Sequence, residues 1–84
     1  PSLVRHAIEA LLLNPLGVRA LPPPPWGFET LERPGVDLLV RLLQCCRDQG
    51  IEHGAELLRA FEEDSAYPAL LKLFSEGSSA TPES

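Results

Sequence analysis

No methionine occurs in these 84 residues, which begin at Pro1. The chain is therefore expected to be an internal or C-terminal segment cut from a longer protein. Also missing is any apolar run near the roughly 20 residues that a bilayer span requires, because Glu9, Asn14 and Arg41 interrupt each candidate. The start holds no basic region leading into a long apolar one, so no secretory signal is read there and a cytoplasmic setting is expected. Cysteine is limited to the adjacent pair Cys45 and Cys46. Neighbouring side chains on a helix diverge by about 100°, which opposes a disulfide between them. Both read as reduced thiols packed as small apolar groups, as a reducing compartment would keep them.

Basic residues are scarce. Seven Lys and Arg face twelve Asp and Glu, for a formal charge of −5. Residues 1–50 carry five arginines against five acids, so the excess lies in residues 51–84, where Arg59 and Lys72 face seven acids. An acidic body repels a phosphate backbone, and direct nucleic-acid binding is not expected. A helix-turn-helix reading of residues 34–63 fails on sign. Its would-be recognition helix bears Glu52, Glu56, Glu62 and Glu63 against Arg59 alone.

Catalytic signatures are sparse too. No glycine-rich phosphate loop, serine elbow or dinucleotide fingerprint is present. His6, His53, Cys45 and Cys46 lack the paired spacing of a structural zinc site, and neither thiol has an evident base. The run Glu62, Glu63, Asp64 reads as a solvated face. The expectation is no catalytic residue, no cofactor and no metal; one enzyme-class rival is a thiol-dependent activity at Cys45 or Cys46.

What the chain does have is helical periodicity. Leu3, Val4, Ala7, Ile8, Leu11 and Leu12 share one face of a helix over Ser2 to Leu13, with Arg5 and Glu9 opposite. Asn14 is placed to cap with its side-chain oxygen, and Pro15 suits the first position of a short second helix to about Ala20. Pro22 to Pro25 cannot continue a helix and read as a stiff strut, pinned by Trp26 and Phe28. Pro34 is expected to open a third helix reaching about Gln49. Its stripe is Val36, Leu39, Val40, Leu43 and Cys46, widened by Leu38, Leu42 and Cys45, which places it centrally. Asp37 and Arg41 form an i, i+4 pair, Arg47 complements the C-terminal dipole, and Gly50 supplies a left-handed stop.

A fourth helix from about Gly54 to Glu63 would bury Leu57, Leu58 and Phe61. A fifth, from about Ala66 to Ser75 with Ser65 as cap and Pro68 in its first turn, would bury Tyr67, Leu70, Leu71 and Phe74. Residues 77–84 read as a flexible tail or linker. Helices this short are marginal alone, so the expected fold is all-α, a bundle of about five short helices over residues 1–76.

Three segments, IEALLLNPLGVRALPPP, RPGVDLLVRLLQCCRDQGIEHGAELLRAF and LLKLF, together resemble the C-terminal helicase-binding domain of bacterial DnaG-type primases. The resemblance covers Ser2 to about Glu76. It is carried by the helix ending Leu-Leu-Leu-Asn-Pro, the prolines after a short helix, and the spacing of Gly50, Gly54, Leu57 and Leu58. It implies the helical-bundle subdomain that docks on the N-terminal domain of the DnaB-type replicative helicase. It further implies a parent chain that makes primers, and a fragment without enzymatic activity of its own. A long following helix and a terminal hairpin belong to such domains and are not in this sequence. A monomer is expected, with the helicase as protein partner and its contact residues unassigned; Arg41, Arg47 and Glu56 are exposed candidates. The rival reading is a generic helical adaptor that binds a peptide or partner helix through Trp26, Phe28 and the proline strut.

Overall fold

A computed structural model describes residues 3–22, 26–29 and 34–79, the side chains of 78 and 79 excepted. Pro23, Pro24 and Pro25, three of the four prolines read as a strut, lie outside the described residues, as do Ser2 and residues 80–84 of the expected tail. Four α-helices and one 3₁₀ helix follow in order: α1 Leu3–Leu13, η1 Pro15–Ala20, α2 Val36–Gln49, α3 Gly54–Ala60 and α4 Tyr67–Ser79. No strand occurs among the described residues. The fold is the all-α bundle expected.

Its centre is built from one leucine of each α-helix. Leu12, Leu42, Leu57 and Leu70 are all 0% exposed, and each contributes about 1.5–3 kcal/mol by leaving water. Ile8, Leu11, Val18, Leu39, Leu43, Cys46, Ile51, Leu58 and Phe61 surround them. Leu42, read as the widening of the α2 stripe, is in fact its most buried member. Leu3 and Leu71, both read as buried, are instead exposed at 81% and 41%. Leu3 is the first residue of its helix, with no turn before it to cover it. On α4 the neighbouring Leu73 packs on the core where Leu71 was expected.

Helix boundaries follow from local hydrogen bonding. At the end of α1 the Asn14 N–H donates to the Ala10 and Leu11 carbonyls, and Pro15 then begins η1, having no N–H to place. The Asn14 side chain makes no capping bond; its carbonyl instead accepts the Gly17 N–H at 2.9 Å. Pro34 lies before α2 rather than in it. The N-cap is Gly35 at φ +90°, and its carbonyl accepts the Leu39 N–H. A Cβ at Gly35 would stand 3.0 Å from Val4 Cγ1, so this turn also lets α1 and the start of α2 approach. Gly50 ends α2 at φ +62°, as read from its lack of a Cβ, with its N–H and that of Ile51 on the Cys46 carbonyl.

Helix α3 is shorter than expected. It stops at Ala60 and continues as turns over residues 61–63, where the Phe61 and Glu62 N–H groups pair with Leu58 and Arg59 carbonyls. The reason is Asp64. Its carboxylate accepts the Ala66 N–H at 2.9 Å and the Arg41 guanidinium at 2.8 Å, and its carbonyl accepts the Tyr67 N–H. Asp64 therefore organises the entry to α4, the role assigned to Ser65, through an aspartate side chain folding back onto the chain two residues on. Only Glu62 and Glu63 of the acidic run are fully exposed; Asp64 is half-buried. Arg41 also lies 5.5 Å over the Phe61 ring and 3.8 Å from Asp37, so the expected i, i+4 pair is the longer of its two ion pairs.

Helix α4 runs on to Ser79 instead of ending near Ser75. Gly77 does not break it, because a Cβ there would stand 2.9 Å from Leu13 Cδ1 and 3.1 Å from Glu9 Oε2. The space is taken by the ends of two flexible side chains of α1, so the close α1–α4 contact favours glycine there. Gly54 is the stricter case, between α1, α3 and α4: a Cβ would overlap the Leu12 carbonyl oxygen and stand 2.5 Å from Phe74 Cε1.

Candidate interaction surface

The break at Asn14-Pro15 folds η1 back across α1 and α2. Val18 is buried in the core, while Leu16 and Leu21 remain 37% and 39% exposed. The chain then leaves η1 extended at Leu21, and a hydrogen-bonded loop follows. The Trp26 indole N–H donates to the Pro22 carbonyl at 2.8 Å. Backbone N–H groups of Trp26 and Gly27 each donate to one oxygen of the Glu29 carboxylate at 2.7 Å. The Trp26 and Phe28 rings stack at 5.7 Å with an interplanar angle of 9°, and both pack on the core while staying half-exposed. The Trp26 backbone N–H foremost lowers the Glu29 carboxyl from its ordinary value, against an opposing effect of burial, and the backbone N–H groups of Glu29 and Gly27 add to the lowering. Trp26 is thus tied to Pro22 and to Glu29, an anchor the sequence reading did not foresee.

Between α1, η1 and α2 lies an apolar groove of about 380 Å³. Ala7, Ala10 and Leu11 form one wall, Leu39 and Leu43 another, and Phe28 closes an end; Val18 of η1 and Leu21 just after it also line it, with Asn14 a polar residue among them. Side chains of four separate segments thus converge on one depression, with small residues of α1 opening it. Such a groove offers shape and apolar contact. Among the described residues that line it, none is an acid, a base or a nucleophile.

The residues examined for chemistry are dispersed. Burial pushes the Cys46 thiol up to about 11, with Cys45 adding to the shift, and burial followed by the charge of Asp48 raises that of Cys45. Both are free cysteines, Cys46 buried in the core and Cys45 half-buried, and a raised pKa keeps each in the unreactive thiol form at neutral pH. His6 is exposed on α1, and His53 is the residue before α3. Next to it, Glu56 reaches back so that Oε1 accepts the Glu52 and His53 N–H groups at 3.0 and 3.2 Å. Those bonds, the Glu52 one first, lower its pKa and fix the start of α3. Among the described residues no three His, Cys, Asp or Glu side chains gather as a metal site. Of the exposed contact candidates, Arg41 is tied to Asp64 and Glu56 to backbone, whereas Arg47 makes no ion pair with a described residue.

No helix of the described residues is long and apolar enough to cross a membrane. Comparison of the chain with protein-family models, with curated proteins and with solved structures finds no match.

Proposed function

We propose that this chain is a non-catalytic interaction module of a bacterial DnaG-type primase that docks on the N-terminal domain of the DnaB-type replicative helicase. The observation that carries the reading is the place of the resembling residues in the fold. Leu12, in the Leu-Leu-Leu-Asn-Pro helix end, offers its carbonyl at the spot where Gly54 lacks a side chain; Gly50 ends α2 in the left-handed conformation; Leu57 and Leu58, on the helix that Gly54 begins, are both buried. The pattern behind the resemblance is thus a set of packing constraints on one helical bundle, which supports a shared architecture.

The physics of such a module is contact alone. A rigid bundle held at a helicase collar shifts that ring toward whichever arrangement it binds better. It would thereby couple primer synthesis to unwinding without a reacting group. The test is a pull-down against a replicative helicase N-terminal domain, using this chain extended through the following helix and hairpin. Retention at tens of micromolar is expected, and no retention there would refute the reading.

A second reading, a generic helical adaptor for a peptide or partner helix, draws support from the apolar groove closed by Phe28. Replacing Trp26 with Ala separates its two roles. A folded variant with unchanged helicase binding and lost peptide binding would favour the adaptor.

A further inference from the structure

The apolar groove does not stop at η1. A second depression, of about 340 Å³, shares Val18 and Leu21 with it and continues on the other side to Arg19, Cys46, Arg47 and Gly50. Leu21, 39% exposed, lines both. The first half is lined almost wholly by apolar side chains, and the formal charges lining the second are the two guanidinium groups of Arg19 and Arg47. This is a local reversal of sign on a chain of net charge −5. Among the described residues Arg47, which is exposed, forms no ion pair, and Arg19 pairs with Glu52 alone, at 3.7 Å, with both side chains more than half exposed. A contact of that kind is worth little and exchanges readily with another carboxylate.

The geometry points to one continuous docking track, running from Phe28 over Leu21 to Arg47, for an acidic amphipathic segment of a partner protein. Apolar side chains of the segment would fill the groove beside Phe28, and a carboxylate beyond them would meet Arg19 and Arg47. Arg19 and Arg47 beside an apolar groove select an occupant that carries apolar side chains and a carboxylate together, which a nucleic acid does not. The inference deepens the helicase reading and rests on it for the natural partner, while the track itself is tested without it.

Trp26 is the sole tryptophan of the chain and stacks on Phe28 at the end of the groove, so its emission reports on occupancy. The intact chain is titrated with a synthetic amphipathic peptide of leucine and glutamate, and with a counterpart in which lysine replaces glutamate. The acidic peptide is expected to change Trp26 emission saturably. Leu21→Ser, Arg19→Glu and Arg47→Glu, each checked for native helical content, should weaken it at least tenfold, whereas Lys72→Glu on α4 should stay within twofold. No saturable response, or an equal response to the lysine peptide, overturns the track. So does self-association that Leu21→Ser abolishes in sedimentation, because a second copy would then be the occupant. The same variants are finally assayed against the helicase domain. If the unsubstituted chain binds the acidic peptide but, extended through the following helix and hairpin, does not bind the helicase domain, the track stands and the functional reading falls. If it binds the helicase domain and the three variants bind equally well, the reading stands and the track falls.

Discussion

Replacing Gly54 with alanine sets two physical effects against each other. Alanine is favoured over glycine in a helix by up to about 1 kcal/mol, so propensity alone predicts stabilisation. Gly54 is the first residue of α3, where that gain is smallest, and it is buried against α1. The added methyl would overlap the Leu12 carbonyl oxygen and press on Phe74 at 2.5 Å. A backbone carbonyl in the last turn of α1 has no rotamer to escape into, and the Phe74 ring itself packs on the core. Overpacking of this kind costs about 1–3 kcal/mol, occasionally more, so a net loss of about 2 kcal/mol is expected. For a domain of this size each kcal/mol moves Tm by about 4–8 °C, which makes the drop roughly 10 °C in thermal unfolding followed by far-UV circular dichroism. Gly17→Ala is the matched control, since its Cβ would meet only Asn14 Nδ2 at 3.7 Å, and it should change Tm little. A Gly54→Ala variant as stable as the parent would show that α1 and α3 do not approach as described.

Truncating Leu42 or Leu57 to alanine should cost about 2–5 kcal/mol in urea denaturation, whereas the same change at exposed Leu3 should stay within about 0.5 kcal/mol. Asp64→Ala should cost about 1–2 kcal/mol through the lost turn bonds, and Arg41→Ala about 1 kcal/mol or less; the reverse order would place the ion pair above the turn. Glu29 and Glu56 have pKa values lowered from 4.5. Their stabilising bonds are therefore complete above that value and lost as pH falls through the lower folded values. Stability should be flat from pH 7 to about 5 and decline below about 4.5, less steeply in Glu29→Gln plus Glu56→Gln; an unchanged profile in the double variant would contradict the assignment. In thiol labelling at neutral pH, Cys46 should react only after unfolding and Cys45 slowly before it, since burial raises both; rapid native labelling of both would revive a thiol chemistry.

The bundle was legible because its strongest signals are local. The 3.6-residue stripes of α1 and α2, the Asn14-Pro15 break and the Gly50 stop each depend on residues within a few positions of one another. Where expectation and structure part, a contact distant in sequence decides. Gly77 looks like a helix end until Leu13 stands against it, and Asp64 looks like one of three solvated acids until Arg41 arrives from α2. Leu71 and Leu73 are indistinguishable by composition, and only the packing of α4 chooses between them. The groove was not legible at all. Its walls come from α1, η1, the Phe28 loop and α2, and each wall residue taken alone reads as ordinary core.

Hydrogen exchange on the extended chain, with and without the helicase N-terminal domain, tests most directly whether apolar stripes hold the bundle together and leave its outside for a macromolecular partner. Slowed exchange in residues 7–21 and 39–50 on adding the domain, with residues 67–79 unchanged, is the predicted result. Exchange identical in every segment at saturating helicase domain would contradict it.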